Sequence, residues 1–302
     1  MSAPPVSHTA LTAFFCSLLP PAPSHLPLVY HSPHRPPPAI TRVVLSITAT
    51  PGVYPYLSSP TTALFLHRPW SLDRRKLSRS TLVLASHQRL DELLTTGHNE
   101  VLMRRLGVQG EMVPIVGYKN DPERKMGLVG RLPVGYTVQK DKNTDTDADA
   151  DADADDAAQA DPSFDDWLRI IRNEFPHAES HLQGPPSNGD PVTAPTPQYI
   201  ACMNAFDPEI ITRVIASASL LSPSASSPTT SSSIAFHPSQ IIYLTGQSRP
   251  LALAHAQALG IRVVTTGHRE AEAWAIRFLQ GAVEREWRGM GIQVVVVDEE
   301  EG

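Results

Sequence analysis

A strand-to-helix junction near the C-terminus constrains the fold more than any other stretch of the chain. Residues 261–265 are mostly apolar or β-branched, which predicts a short buried strand. Gly267 follows as a turn residue, and apolar residues then recur at helical spacing. These residues are Ala271, Ala275, Phe278, Leu279, Ala282 and Val283. His268 is therefore predicted at the point where a strand ends and a helix begins.

The junction also carries chemistry that suits a metal ion. Glu272 lies four residues after His268, so both side chains are expected on one face of the helix, one turn apart. An imidazole and a carboxylate in that arrangement can share one divalent cation. The same spacing also occurs in helices where the histidine only starts the helix and the carboxylate is solvated. The two residues alone leave both interpretations open.

Two earlier segments repeat the pattern of a strand that ends in histidine. Residues 62–67 and 81–87 each read as an apolar strand, and they end in His67 and His87. Asp91 follows soon after His87, and a helix is predicted from Asn99 to residue 106. In α/β proteins, ligands gather at the carboxyl ends of parallel strands. The three segments together predict an α/β fold with a site at the strand ends.

These segments resemble the Nif-three-like family, which is also known as the GTP cyclohydrolase type-two homologues. Five motifs occur in the family's order between about Arg42 and Asp298. The matching stretches are His67-Arg68-Pro69, Ser86-His87 with Asp91, Gly97-His98-Asn99, Gly130-Arg131 and Gly267-His268 with Glu272. A Thr-Gly-acid turn of the family is matched only in part by Thr245-Gly246-Gln247. The chain is similar to a divergent, fungal-type eukaryotic member.

The resemblance implies a duplicated α/β fold and a toroidal homohexamer built from trimers. It also implies a two-metal site that faces an inner cavity. The family's metal ligands fall on His67, Asp91, His268 and Glu272. One or two divalent ions, zinc, manganese or iron, are the cofactors that this set implies.

The chain departs from the family pattern at two positions. The first motif of bacterial members has two adjacent histidines, whereas Arg68 stands second here and cannot ligate a metal because it stays protonated. Gln247 replaces the family's acid. Four residues are predicted to support the ligands or to contact substrate: Arg68, His87, Asn99 and Arg131.

Composition excludes several classes of protein. The 302 residues carry a formal net charge of −6, which does not indicate a basic nucleic-acid surface. Two cysteines, Cys16 and Cys202, cannot form a disulfide framework and suit a reducing compartment. No apolar run reaches the length of a membrane span. We expect a cytoplasmic protein that is also compatible with the nucleus, and mitochondrial import stays open.

Changes in composition along the chain predict six segments. A Pro-rich extension with a short apolar packing helix covers 1–38, and a first α/β lobe covers 39–140. Alternating Asp and Ala predict a disordered acidic linker at 141–162, followed by a helical segment at 163–183 with Ser163 as N-cap. A Pro/Gly/Ser linker at 184–197 precedes a second α/β lobe at 198–302. In that lobe we predict a strand at 199–203, a helix from Pro208 with Asp207 as its N-cap, and a Ser/Thr/Pro loop. The fold class is thus α/β, with two similar lobes and disordered linkers.

Two functions follow from this interpretation. The first is a metal-dependent hydrolase that acts on a phosphoester or nucleotide-like substrate. The second is a non-catalytic scaffold or transcription-related binding protein whose metal site has degenerated, because one ligand position is Arg68. The direction of Arg68 distinguishes them, since an arginine that points into the site favours a mononuclear or metal-free protein. A plain α/β protein with structural histidines is the third alternative.

Overall fold

The structure is a computed structural model that describes residues 5–21, 28–35, 39–118, 121–133, 161–181, 195–222 and 236–297. Most of the predicted acidic linker and of the linker at 184–197, and most of the Ser/Thr/Pro loop, lie outside these ranges. The helices are α1 His8–Leu18, α2 Tyr54–Leu57, α3 Gln88–Leu93, α4 Glu100–Arg105, α5 Phe164–Glu174, α6 Pro208–Leu220, α7 Pro250–Ala258 and α8 His268–Glu286. The strands are β1 Val29–His31, β2 Arg42–Thr48, β3 Thr62–Arg68, β4 Leu82–Ala85, β5 Met112–Tyr118, β6 Asp121–Arg131, β7 Glu179–His181, β8 Tyr199–Met203, β9 Ile241–Thr245, β10 Arg262–Thr265 and β11 Gln293–Val297.

The chain folds into two compact units, each with its own sheet. The first unit comprises residues up to Asn99 together with the chain from Gly267 onward, and the second comprises Glu100–Thr266. The predicted α/β class with two lobes is confirmed. Among the described residues, no helix is both long enough and apolar enough to cross a membrane.

The sheet of the first unit has the strand order β1-β4-β3-β2-β11. Strands β4, β3, β2 and β11 run parallel, and β1 is antiparallel at one edge. Successive side chains alternate between the two faces of the sheet. Leu45 and Phe65 pack on one face with α1 and α8, whereas Val44 and Leu64 pack on the other face with α2.

The predicted packing helix near the N-terminus is present as α1. Its residues Leu11 and Phe15 are fully buried, and the Phe15 ring stacks on Phe65 with 5.0 Å between ring centroids. Ser7 caps the helix, since its hydroxyl accepts a hydrogen bond from the backbone N–H of Ala10. The apolar stretch is thus part of the first unit's core.

The sheet of the second unit has the strand order β5-β6-β8-β9-β10-β7. Only β8, β9 and β10 run parallel, and the remaining pairs are antiparallel. Both predicted N-caps are observed, because Ser163 and Asp207 accept hydrogen bonds from the backbone of α5 and α6. Ser163 also forms a reciprocal capping box with Asp166.

The two compact units do not have the bounds 39–140 and 198–302 that the sequence predicted for the two lobes. Strand β11 pairs in parallel with β2, with Val294 opposite Val43. Helix α8 packs on the same sheet. The last helix and strand therefore belong with the first unit, because pairing depends on the partner strand rather than on position along the chain. Two strands of three residues each, β1 and β7, carry too short a pattern for prediction.

Candidate metal centre

His67 and Arg68 lie at the C-terminal end of β3. Side chains alternate along a strand, so the two residues differ in environment. The His67 side chain is fully buried, and the Arg68 side chain is 30 % exposed. The end of this parallel strand therefore presents one buried imidazole and one half-buried cation.

Asp91 reaches the same place from a helix rather than from a strand. Strand β4 ends at Ala85, and His87 immediately precedes α3, on whose first turn Asp91 lies. The expectation that three strand ends would supply the site is corrected here, since one turn of helix carries the carboxylate inward. The backbone N–H of Asp91 donates to the carbonyl oxygen of His87, which fixes their spacing.

His268 is the first residue of α8, as the sequence predicted. Gly267 has a φ of +82°, a backbone conformation that favours glycine, and it makes the turn between β10 and the helix. Glu272 follows one helical turn later, and its side chain is 1 % exposed. The carboxylate of this residue is therefore buried rather than solvated.

One oxygen of Glu272 is the centre of the cluster. Its Oε1 atom lies 3.0 Å from His67 Nε2 and 3.1 Å from His268 Nε2. Asp91 Oδ1 lies 3.4 Å from His67 Nε2, and Asp91 Oδ2 lies 3.7 Å from His87 Nε2. The four residues implied as ligands are thus brought together, with His87 beside them.

The hydrogen-bonding of His67 tests whether this set suits a cation. Its Nδ1 atom lies 3.1 Å from the carbonyl oxygen of Ser86, which can only accept, so Nδ1 carries a hydrogen. The Nε2 atom then faces two carboxylate oxygens. A nitrogen lone pair and a carboxylate oxygen repel each other, so Nε2 needs a second proton or a bound cation. A metal-ligating histidine donates one ring N–H to a carboxylate, a backbone carbonyl or water and presents its other nitrogen to the metal. His67 has this arrangement, with carboxylates around Nε2.

Asp91 links two groups of potential ligands. His67, His87 and Asp91 offer atoms within 4.8 Å of one another, and so do Asp91, His268 and Glu272. A shared carboxylate can orient toward either group. Each group could therefore hold one cation, and Asp91 belongs to both groups.

Burial and hydrogen bonding set the charges of these groups. Burial alone would raise the pKa of Glu272, but hydrogen bonds from His268 and His67 outweigh it and hold that pKa well below its usual range. The hydrogen bond to Glu272 raises the pKa of His268. Burial raises the pKa of Asp91 and lowers that of His87. At neutral pH the cluster has an ionised carboxylate at its centre and a neutral imidazole, His87, at its rim.

Arg68 points into the cluster. Its Nη2 atom contacts Glu272 Oε1, the oxygen that both histidines also face. A fixed positive charge thus lies where the family resemblance implies a second histidine. An arginine that points into the site is the feature expected of a mononuclear or metal-free protein, and Arg68 has this direction.

The two remaining predicted residues are Asn99 and Arg131. Asn99 is fully buried, and its side-chain amide donates to the carbonyl oxygen of Thr95 four residues earlier. Arg131 ends β6 in the second unit, opposite Tyr199. Their roles toward substrate stay predictions. Trp70, which contacts His87 and immediately follows the His67-Arg68-Pro69 motif, is not among the predicted site residues.

Comparison with known proteins places this fold. No family model matches the sequence, and no curated protein matches it either. The structure, however, is similar over nearly its whole length to proteins of known structure. One is HcgD from Methanocaldococcus jannaschii, at 14 % identity and a TM-score of 0.57, with 97 % of this chain and 98 % of HcgD covered.

A second similar structure is that of ybgI, a protein described as of unknown function, at 14 % identity and a TM-score of 0.53. It covers 98 % of this chain and 99 % of ybgI. A third is a Bacillus cereus protein related to NIF3, at 11 % identity and a TM-score of 0.50, covering 99 % and 98 % of the two chains. At these identities the likeness establishes the fold, which is the two-lobed α/β fold of NIF3-like proteins.

Proposed function

We propose that this chain is a NIF3-like protein that binds one divalent cation and hydrolyses a phosphoester or nucleotide-like substrate. The supporting observation is that three separate segments bring His67, Asp91 and His268 together around the buried carboxylate of Glu272. Imidazole and carboxylate ligands suit zinc, manganese or iron. The fold likeness is compatible with this proposal.

The cation, when bound, would supply a water whose pKa is lowered toward neutrality. The protein's own residues would provide the rest of the chemistry. His67 is oriented by the Ser86 carbonyl oxygen so that its Nε2 atom faces the carboxylates, and Glu272 is ionised at neutral pH. His87 is neutral near pH 7 and 40 % exposed, so its Nε2 atom can accept a proton at the rim of the cluster. Arg68 would hold an anionic oxygen of the substrate.

Metal content measured by elemental analysis tests the proposal. We expect about one equivalent in the wild type after reconstitution, and a loss of that metal in Asp91→Ala and His268→Ala. His177→Ala is the matched control, because His177 is an exposed histidine of the second unit. Metal that is retained in both cluster variants, or absent from the wild type, would refute the site. Hydrolysis of phosphoesters and nucleotides is then screened with the loaded wild type.

The contact between Arg68 and Glu272 favours a second candidate function. A guanidinium that neutralises Glu272 reduces the attraction for a cation. The chain would then be a binding protein with a degenerate site, with partners in transcription as the resemblance implies. A wild type that binds no zinc, manganese or iron, yet folds normally, is the result that selects this candidate.

Assembly and location are also proposals. A homohexamer would give a mass near six times that of the chain in light scattering, and a monomer would contradict it. A cytoplasmic or nuclear location is tested by fractionation of cells that express the tagged protein.

A further inference from the structure

We propose that Trp70 is a stacking surface for a planar aromatic ring of the substrate, beside the metal cluster. The proposal rests on the proposed function and specifies its substrate class. The Trp70 side chain is 67 % exposed, whereas the other three tryptophans, Trp167, Trp274 and Trp287, are no more than 9 % exposed. A single exposed apolar side chain is common at a protein surface, so the position of Trp70 beside the metal cluster carries the proposal.

A line of rings connects Trp70 to the cluster. The Trp70 and His87 ring centroids are 5.0 Å apart with the planes at 60°. The His87 and His67 rings are stacked, with centroids 4.8 Å apart and planes at 16°. His67 Nε2 in turn lies 3.0 Å from Glu272 Oε1. Trp70 and His87 are therefore the two rings between a ligand ring stacked on Trp70 and His67 in the cluster.

The backbone holds Trp70 in this position. Trp70 follows Pro69 in a turn, which is closed by a hydrogen bond of 3.1 Å from the Leu72 N–H to the Pro69 carbonyl oxygen. Pro69 fixes its own φ, and Leu72 is 9 % exposed and packs in the core beneath β3. The turn is thus anchored on both sides, so the backbone at Trp70 needs little ordering when a ligand binds.

The charge beside this surface defines the rest of the ligand. Arg68 is two residues before Trp70 and partly exposed, and a guanidinium has five N–H donors that suit phosphate oxygens. A cation at the cluster would add to that attraction. The ring and the charge together fit a planar base joined to a phosphate group, as in a nucleoside monophosphate. Base stacking on an aromatic side chain tolerates different bases because each has a π-face.

Calorimetric titration with two probes separates the ring from the phosphate. The probes are adenosine 5′-monophosphate, which has a base, and ribose 5-phosphate, which lacks one. We expect Trp70→Ala to weaken binding of adenosine 5′-monophosphate by about tenfold or more, and to leave ribose 5-phosphate within about twofold. Trp70→Phe should keep most of the affinity because it retains an aromatic face. Leu251→Ala is the control, since Leu251 is an exposed apolar residue, 76 % accessible, in the second unit.

Metal content and mass are measured on the same preparations. A wild type that binds both probes equally, or a Trp70→Ala variant that binds adenosine 5′-monophosphate normally, would overturn the stacking surface even if the metal is present. Base-dependent binding that needs Trp70 in a protein without metal would support the surface and refute the hydrolase. A change of oligomeric mass in Trp70→Ala, with unchanged nucleotide affinity, would assign Trp70 to an interface between copies and overturn the proposal.

Discussion

The two units share an architecture but differ in the chemistry at their strand ends. In the first unit, β3 ends in His67 and Arg68, and His87 follows β4. In the second unit, the parallel strands β9 and β10 end in Thr245 and Thr265. There the Thr266 N–H donates to the Thr245 carbonyl oxygen at 2.9 Å, so the strand ends bond to each other.

The difference shows that the sheet alone does not create a site. Among the described residues, the groups that could hold a metal all lie in the first unit. Two of the residues, His268 and Glu272, come from the last helix, which packs on the first sheet although it follows β10 in sequence. In the second unit, the parallel strands β9 and β10 end in threonines instead. Chemistry therefore depends on the side chains placed on the fold.

Truncation of matched core leucines tests whether the two sheets are equally well packed. Leu45 in β2 and Leu244 in β9 are both fully buried in central strands. We expect Leu45→Ala and Leu244→Ala each to lower the free energy of unfolding by about 2–5 kcal/mol, because a cavity remains. Chemical denaturation measures both. A loss below about 1 kcal/mol in only one variant would show that its sheet is loosely packed and would end the structural equivalence.

Removal of one carboxylate charge from each unit tests the difference in chemistry. Glu272→Gln should weaken binding of a divalent cation by more than about 100-fold, since the central ligand oxygen loses its charge. Glu179→Gln is the control, because Glu179 is exposed and lies opposite Thr265 at the end of the second sheet. Titration calorimetry with zinc or manganese measures both. Equal affinities in the two variants would mean that the first unit's strand ends have no special role.

Removal of the Arg68 side chain should change cation affinity less than Glu272→Gln does, and in the opposite direction. Arg68→Ala removes a positive charge from Glu272, so we expect cation affinity to rise by about tenfold. Partial exposure of Arg68 screens the charge and limits the gain. Arg213→Ala is the control in the second unit, where Arg213 pairs with Glu209. Weaker cation binding in Arg68→Ala would instead show that the arginine orders Glu272 for the metal.

Much of the fold could be predicted because its signals are local. Strand β8 was predicted at its observed bounds, 199–203, and the helix caps Ser163 and Asp207 were recognised from side chains that compete for backbone N–H groups. The association of α8 and β11 with the first sheet was not predicted. It depends on pairing between Val43 and Val294, which are distant in sequence and whose local patterns fit either sheet.

The residues of the candidate site, unlike its geometry, could be selected from the sequence, and their role as metal ligands stays a prediction. Motif resemblance selected His67, Asp91, His268 and Glu272, and the structure brings these four together. The direction of Arg68 could not be predicted, because its partner Glu272 is 204 residues away. Trp70 could not be selected from the sequence, because exposure is a property of the folded chain and tryptophans are more often largely buried.

Two serine caps provide the finest comparison between the units. Ser7 caps α1 in the first unit, and Ser163 caps α5 in the second. Each hydroxyl accepts a hydrogen bond from a backbone N–H three residues later, from Ala10 and Asp166 respectively. We expect Ser7→Ala and Ser163→Ala each to cost about 1 kcal/mol near pH 7, measured by denaturant titration.

The two variants should respond differently to pH. Hydrogen bonds from the Ser163 side chain and backbone lower the pKa of Asp166 below its ordinary value of 3.8. A lowered carboxyl pKa in the folded state stabilises the protein above the ordinary pKa, and this contribution is lost as pH falls through the folded value. The cost of Ser163→Ala should therefore shrink as the pH is lowered from about 5 to 3, whereas the cost of Ser7→Ala stays constant because residue 10 is alanine. Parallel pH profiles for the two variants would show that the Asp166 carboxylate contributes nothing to its cap.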